Sequence, residues 1–227
     1  MSMNDSLCAV PYEKQVNKWS CGAAALGMVY RTYGIECSQE QIWKAISRMH
    51  GWGRWCARNQ ALATDALQRG LHALVIQVRD PWPVLERCMQ HSVRVIVNHQ
   101  YQPNVGSGHY SVLTGLSDDE VVLHDPDVGP NRTLTREEFL QLWNPTSPNP
   151  RFVSRVLIAI ADAACEREPC PSCAKTAAVS LPCPWCPWGI PTQPLIALGC
   201  VTDRCPMRWW NRIYCPFCDD ALHDGVQ

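Results

Sequence analysis

The sequence predicts an α+β fold in which helices come first and an antiparallel sheet follows, trailed by a small cysteine-rich unit. Apolar residues recur at helical spacing as far as Gly70 and then gather into strand-like runs, without the strand–helix alternation that builds a parallel sheet. Composition also changes along the chain. Five of the fourteen Cys lie in residues 1–164 and nine in 165–227, and nine of the eighteen Pro share that final segment. A chain of 227 residues, 46% hydrophobic and 18% charged, can bury one medium core and a smaller one, which excludes wholesale disorder. We therefore divide it into residues 1–163 and 164–227.

Ser20 reads as the N-cap of a helix that starts at Cys21-Gly22-Ala23-Ala24-Ala25-Leu26, with Gly34 just past its end. That helix is apolar nearly all round, so it belongs inside the domain. Ser38-x-x-Gln41 is a capping box that opens a second helix, on which Ile42, Ala45, Ile46 and Met49 share a face up to Gly51. A third helix runs from about residue 60 to 69, and Gly70 stops it. Residues 71–78 and 93–99 read as strands around a short helix at 83–91. Residues 109–116 and 120–125, joined by Ser117-Asp118-Asp119, form a hairpin. Thr135-x-x-Glu138 caps a short helix carrying Phe139, Leu142 and Trp143, the Pro-rich stretch 144–150 is a linker, and 152–160 returns as a strand.

The tail carries four pairs: Cys170-x2-Cys173, Cys183-x2-Cys186, Cys200-x4-Cys205 and Cys215-x2-Cys218. A tight Cys-x-x-Cys turn sets two thiolates about a tetrahedral edge apart, so two pairs complete one Zn2+ site and four pairs predict two structural zincs. Pro171, Pro184 and Pro216 follow the first Cys in three of the pairs and fix the turn. Short connecting loops favour sequential pairing, Cys170, Cys173, Cys183 and Cys186 on one ion and Cys200, Cys205, Cys215 and Cys218 on the other, over an interleaved arrangement. Cys165 and His223 stand as substitute ligands. A disulfide scaffold would need an oxidising compartment that nothing at the N-terminus supports. Sites closed by four Cys are structural, and they would carry a segment too small to fold on a core alone.

Cys21 lies at the first turn of the buried helix, where unpaired N–H groups and the macrodipole favour a thiolate. His109 opens one hairpin strand and Asp125 closes its neighbour, so antiparallel pairing brings both to one end of the ladder. Gly106-Ser107-Gly108 lets backbone come close to whatever binds there. A Cys, a His and an Asp able to orient the His form the activated-nucleophile arrangement of thiol hydrolases. Gln15, six residues before Cys21, could donate to an oxyanion together with the Cys21 N–H. Trp19 more readily covers this site than reacts in it.

The stretch Gln15-Val16-Asn17-Lys18-Trp19-Ser20-Cys21-Gly22-Ala23-Ala24 resembles the Gln-x5-Cys-Gly-x-Ala motif of the double-glycine leader peptidases, papain-like domains fused to bacteriocin-exporting ABC transporters, and their standalone relatives. Val95-Ile96-Val97-Asn98-His99, Gly108-His109-Tyr110-Ser111-Val112, Leu123-His124-Asp125-Pro126-Asp127 and Glu137-Glu138-Phe139 look like the family's further blocks in order, over roughly residues 8–161. The resemblance implies a papain-like cysteine peptidase fold, with Cys21 as nucleophile, His109 as general base and acid, Asp125 as its orienting residue and Gln15 as oxyanion donor. It also implies cleavage after paired glycines in a leader peptide. The chain departs from the transporter form in lacking membrane spans and a nucleotide-binding domain and in adding the Cys-rich tail, expected to dock substrate.

Twenty Lys+Arg against twenty-one Asp+Glu leave a net charge of -1, which argues against a nucleic-acid binder. Arg204, Arg208 and Arg212 do interleave with Trp209, Trp210 and Tyr214, but Asp203, Asp219, Asp220 and Asp224 lie among them. No apolar run approaches the ~20 residues of a membrane span, and the first residues lack a secretory signal, so a cytoplasmic setting is expected. A catalytically silent peptide-binding module and a protease for ubiquitin-like Gly-Gly tails are the rival readings. His50, His72, His91, His99 and His124 show no ligand spacing, and Asp127 reads as loop.

Overall fold

A computed structural model describes residues 9–50, 53–102, 108–144, 153–162 and 168–223. The linker at 145–150, Gly106, Ser107, Phe152 and Cys165 lie outside the described residues. Among those described, five helices pack on an antiparallel sheet: α1 (Cys21–Thr32), α2 (Gln39–Ile46), α3 (Asn59–Gln68), α4 (Pro81–Gln90) and α5 (Arg136–Trp143). In chain order the strands are β1 (Ser47–His50), β2 (Arg54–Ala57), β3 (His72–Val78), β4 (Arg94–Gln100), β5 (Gly108–Leu116), β6 (Glu120–Asp125), β7 (Gly129–Thr135), β8 (Val156–Ala161), β9 (Ser180–Pro182), β10 (Gly189–Pro191), β11 (Trp210–Tyr214) and β12 (Ala221–His223). Eight of them form one sheet in the order β12-β11-β3-β8-β4-β5-β6-β7; β1 with β2 and β9 with β10 are separate hairpins.

Alternation along the central strands feeds two apolar layers. Ala73 and Val75 of β3, Ile96 of β4, Val112 of β5 and Ile158 and Ile160 of β8 meet α1, α2 and α3. Leu74, Ile76 and Val78, with Val95, Val97, Leu157 and Ala159, meet α4 and α5 on the other face. The period of two in a strand separates the two sets, and covering both faces leaves the central strands almost wholly apolar. Every residue of α1 from Cys21 to Tyr30 is buried, as its all-round apolar pattern requires. A Cβ at Gly22 would lie 3.2 Å from the Tyr110 ring and 3.4 Å from Leu62, so the small residue lets α1 close onto β5 and α3.

Three elements differ from expectation. The second helix has its capping box but stops at Ile46, where Ser47 turns to extended backbone, and the chain enters the β1–β2 hairpin; Met49 is 60% exposed rather than on a buried helix face. Helical spacing of four apolar residues could not distinguish a helix from a helix followed by an outward-facing strand. β7, which pairs with β6, escaped notice because its sequence Gly-Pro-Asn-Arg-Thr-Leu-Thr is that of a solvent-facing edge. The tail does not stand apart from the sheet: β11 pairs antiparallel with β3, Ile213 opposite Ile76, and Trp210, Ile213 and Leu222 join the α4 and α5 layer.

Candidate active site and metal centres

Cys21 is the first residue of α1 and 8% exposed. No side chain caps this helix: the Ser20 hydroxyl bonds instead to the Asn17 carbonyl and Gln39 Oε1, at 3.1 and 2.9 Å. The first-turn N–H groups and the positive end of the dipole therefore face the region around the thiol. On the sheet, Val112 opposes His124, so the same register sets Asp125 across from Ser111, two residues along from His109. That diagonal is short enough for His109 Nε2 to bond Asp125 Oδ1 at 2.7 Å, with both side chains buried. Cys21 is near enough to the His109 ring to raise its pKa, and with Nε2 engaged by Asp125, Nδ1 is the ring nitrogen left for the sulfur.

The charges follow from these contacts. Burial pushes the His109 imidazole down, yet the bond and charge of Asp125 and the neighbouring Cys21 sulfur more than offset that and bring it up to about 9. Burial alone would raise Asp125. The bond and charge of His109 and the N–H groups of Asp127 and Val128, at 3.0 and 3.2 Å from Oδ1, hold it well below the usual carboxylate range. Arg132 Nη1 closes the remaining side, 2.8 Å from Asp125 Oδ2. A buried carboxylate with every acceptor position engaged is fixed in place, and it fixes the imidazole.

Several contributors to this site were not singled out in the sequence. His99 is the direct cross-strand partner of His109, with ring centroids 5.4 Å apart. Its Nδ1 faces the Gln100 carbonyl at 2.7 Å and its Nε2 faces Ser111 Oγ at 2.9 Å, and burial and the neighbouring His109 charge bring it down to about 4, so it stays neutral. Tyr101 packs edge-on against His109 from 5.3 Å. Asp127, read as loop, accepts from Gln15 Nε2 at 3.2 Å and from the Tyr101 hydroxyl. Gln15 thus lies beside the candidate His109–Asp125 pair, its backbone N–H 2.9 Å from the Pro126 carbonyl. Trp19 is partly exposed, under the cations of Lys18 and Arg54. A register argument could have reached His99, since it pairs with the candidate base; nothing local marks Tyr101.

The eight tail cysteines gather as two groups of four: Cys170, Cys173, Cys200 and Cys205, and Cys183, Cys186, Cys215 and Cys218. This corrects the sequential pairing. The groups are interleaved because each later pair is carried to an earlier one by its own turn: Cys183 and Cys186 lie between β9 and β10, and Cys215 and Cys218 between β11 and β12. Sulfur separations across the pairs are 3.7 Å (Cys170–Cys205), 3.5 Å (Cys173–Cys200), 3.6 Å (Cys183–Cys218) and 3.7 Å (Cys186–Cys215). These are far from a disulfide and near the edge of a tetrahedron with metal–sulfur bonds of ~2.3 Å, so each group could hold a metal ion. The Thr202 N–H lies 3.3 Å from Cys200 Sγ, the kind of donor that steadies a thiolate.

A cysteine at a buried helix N-terminus, facing a histidine–carboxylate pair on an antiparallel sheet, defines the cysteine-peptidase class of α+β fold. The comparisons narrow the class. The chain belongs to the peptidase C39 family, whose profile matches residues 9–147. It is 29% identical over 157 residues to the lactococcin transport/processing ATP-binding protein LcnC-like of Lactococcus lactis subsp. lactis, covering 62% of this chain and 19% of that protein. The lactococcin-A transport/processing ATP-binding protein LcnC of the same subspecies is 29% identical over 143 residues, 58% of this chain and 17% of that one. The chain thus spans about a fifth of the length of these relatives. Its fold matches the peptidase domain of Streptococcus ComA, a bi-functional ABC transporter, with a TM-score of 0.53 at 18% identity, over 68% of this chain and 99% of that domain. No helix among the described residues is long and apolar enough to cross a membrane.

Proposed function

We propose that the protein is a cysteine endopeptidase that cuts after small residues, such as Gly-Gly, in a leader or tail peptide. The observation that carries this reading is the buried His109–Asp125 pair, joined through Nε2 at 2.7 Å, with Cys21 at the first residue of α1 near enough to the ring to raise its pKa. His109 takes the Cys21 proton, and the thiolate attacks the scissile carbonyl. The Cys21 N–H and Gln15 Nε2 stabilise the oxyanion. His109 then protonates the leaving amine, giving an acyl-enzyme that water hydrolyses with His109 again as base. Family membership and the two relatives named for lactococcin processing support the peptide class.

The two groups of four Cys hold structural Zn2+. Support comes from the all-sulfur donor sets, the tetrahedral-edge separations and the N–H donor at Cys200, which leave no open coordination position. Zinc there supplies cross-linking and no chemistry. The tail presents exposed rings of Trp185, Trp188 and Phe217, a surface suited to an apolar stretch of substrate. The described cysteines form no disulfide, which fits a reducing, cytoplasmic setting.

The test is cleavage of Gly-Gly peptides by purified protein. Cys21→Ala should abolish it and Gln15→Ala should lower kcat by ~10²- to 10³-fold while remaining folded. Full cleavage by Cys21→Ala would refute the nucleophile assignment, and a wild-type Cys21 inert to iodoacetamide at mildly acidic pH would favour a silent binding module.

A further inference from the structure

Asp125-Pro126-Asp127 touches both halves of the proposed machinery. Asp125 holds His109, as described. The Pro126 carbonyl accepts the Gln15 backbone N–H at 2.9 Å, and Asp127 Oδ1 accepts Gln15 Nε2 at 3.2 Å. Asp127 Oδ2 accepts the Tyr101 hydroxyl, and Tyr101 packs edge-on against His109. The backbone N–H of Asp127 in turn donates to Asp125 Oδ1 at 3.0 Å.

The Gln15 amide has little else to orient it. Its Oε1 is buried without a hydrogen-bond partner. A free carboxamide could turn over and present oxygen where nitrogen is needed; against Asp127 that flip would set a carbonyl oxygen onto a carboxylate oxygen, which the charge forbids. A carboxylate at 127 therefore fixes the amide with its nitrogen toward Asp127, engages one N–H and leaves the second for another acceptor. No other side chain in contact with Gln15 does this among the described residues.

We propose that Asp127 is a positioning residue: it holds Gln15 with an N–H directed for the oxyanion, braced by Tyr101, and so ties the oxyanion donor to the segment that orients the base. This rests on the reading of Gln15 as oxyanion donor. The His109–Asp125 bond does not pass through the Asp127 side chain, so that pair should stay formed when the side chain is removed.

The experiment compares Asp127→Ala, Asp127→Asn and Tyr101→Phe, each alone and combined with Gln15→Ala. The probes are a peptide ending in Gly-Gly-aminomethylcoumarin and iodoacetamide. Asp127→Ala should lower kcat about 10- to 100-fold with little change in KM, since a misdirected donor loses part of what its deletion loses. Alkylation of Cys21 should keep the wild-type rate. Added to Gln15→Ala, the same substitution should cost nothing further. Asp127→Asn retains one acceptor oxygen and should fall between; it and Tyr101→Phe carry the comparison if the alanine variant does not fold. Wild-type kcat in Asp127→Ala, losses that multiply with Gln15→Ala, or alkylation slowed by the same factor would each overturn the inference while leaving the catalytic reading standing. A wild-type Cys21 that resists alkylation overturns both.

Discussion

Asp125→Asn should bring the titration of His109 down from about 9 to below its ordinary 6.5. The gap between those values corresponds to about 3 kcal/mol in favour of the imidazolium, at ~1.36 kcal/mol per pH unit. Burial acts against the charged ring, and the bond and charge of Asp125 and the neighbouring Cys21 sulfur overcome it. Asparagine keeps the shape and an acceptor oxygen but removes the charge, so only Cys21 remains to oppose burial. The sign can be checked on stability. A folded-state value above the unfolded one contributes stability that is fully present below about 6.5 and is lost as pH rises through about 9, so the wild type should weaken over that window and Asp125→Asn should not. The assay is NMR titration of the histidine ring protons, with His109 assigned through His109→Gln, alongside the alkaline limb of kcat/KM. A His109 that still titrates near 9 in Asp125→Asn would refute the ion-pair account and place the perturbation elsewhere.

The remaining predictions concern the metal groups and the neutral histidine. Gly199 has φ +62°, and a Cβ there would overlap the Met207 carbonyl oxygen, so Gly199→Ala should displace Cys200 and lower the zinc content proposed for the chain from two ions to one by elemental analysis. Chelation, or Cys215→Ser, should lower the melting temperature and cost on the order of several kcal/mol, because the Pro216 carbonyl accepts from Gln60 and Thr64 of α3 and β11 pairs with β3; an unchanged melt would remove the structural role. His99, held down to about 4, contributes stability fully present above about 6.5 and lost as pH falls toward 4; His99→Gln should flatten that decline in urea titrations, and an equally steep decline would assign the acid sensitivity to other groups.

The triad candidates were legible because each lies at the end of an element that local sequence marks: Cys21 after the Ser20 position, His109 at a strand start, Asp125 at a strand end. Their neighbours were not, since His99, Tyr101, Asp127 and Arg132 reach the site through strand pairing and loop return rather than through spacing. The metal grouping failed on a specific assumption, that short loops favour sequential pairs. Loop-closure entropy changes slowly with length, whereas hairpin geometry fixes where a turn points, so β9–β10 and β11–β12 decided which sulfurs met. The same strands show what the composition shift near 163 does and does not mark. Without β11, β3 would present an unpaired edge, and the apolar side chains of Trp210, Ile213 and Leu222 would leave the α4 and α5 layer uncovered. The composition changes at that point from apolar packing to clustered cysteines, while the sheet and its core run across it; the tail must therefore be in place for β3, and through it the layer under α1 and Cys21, to be fully packed.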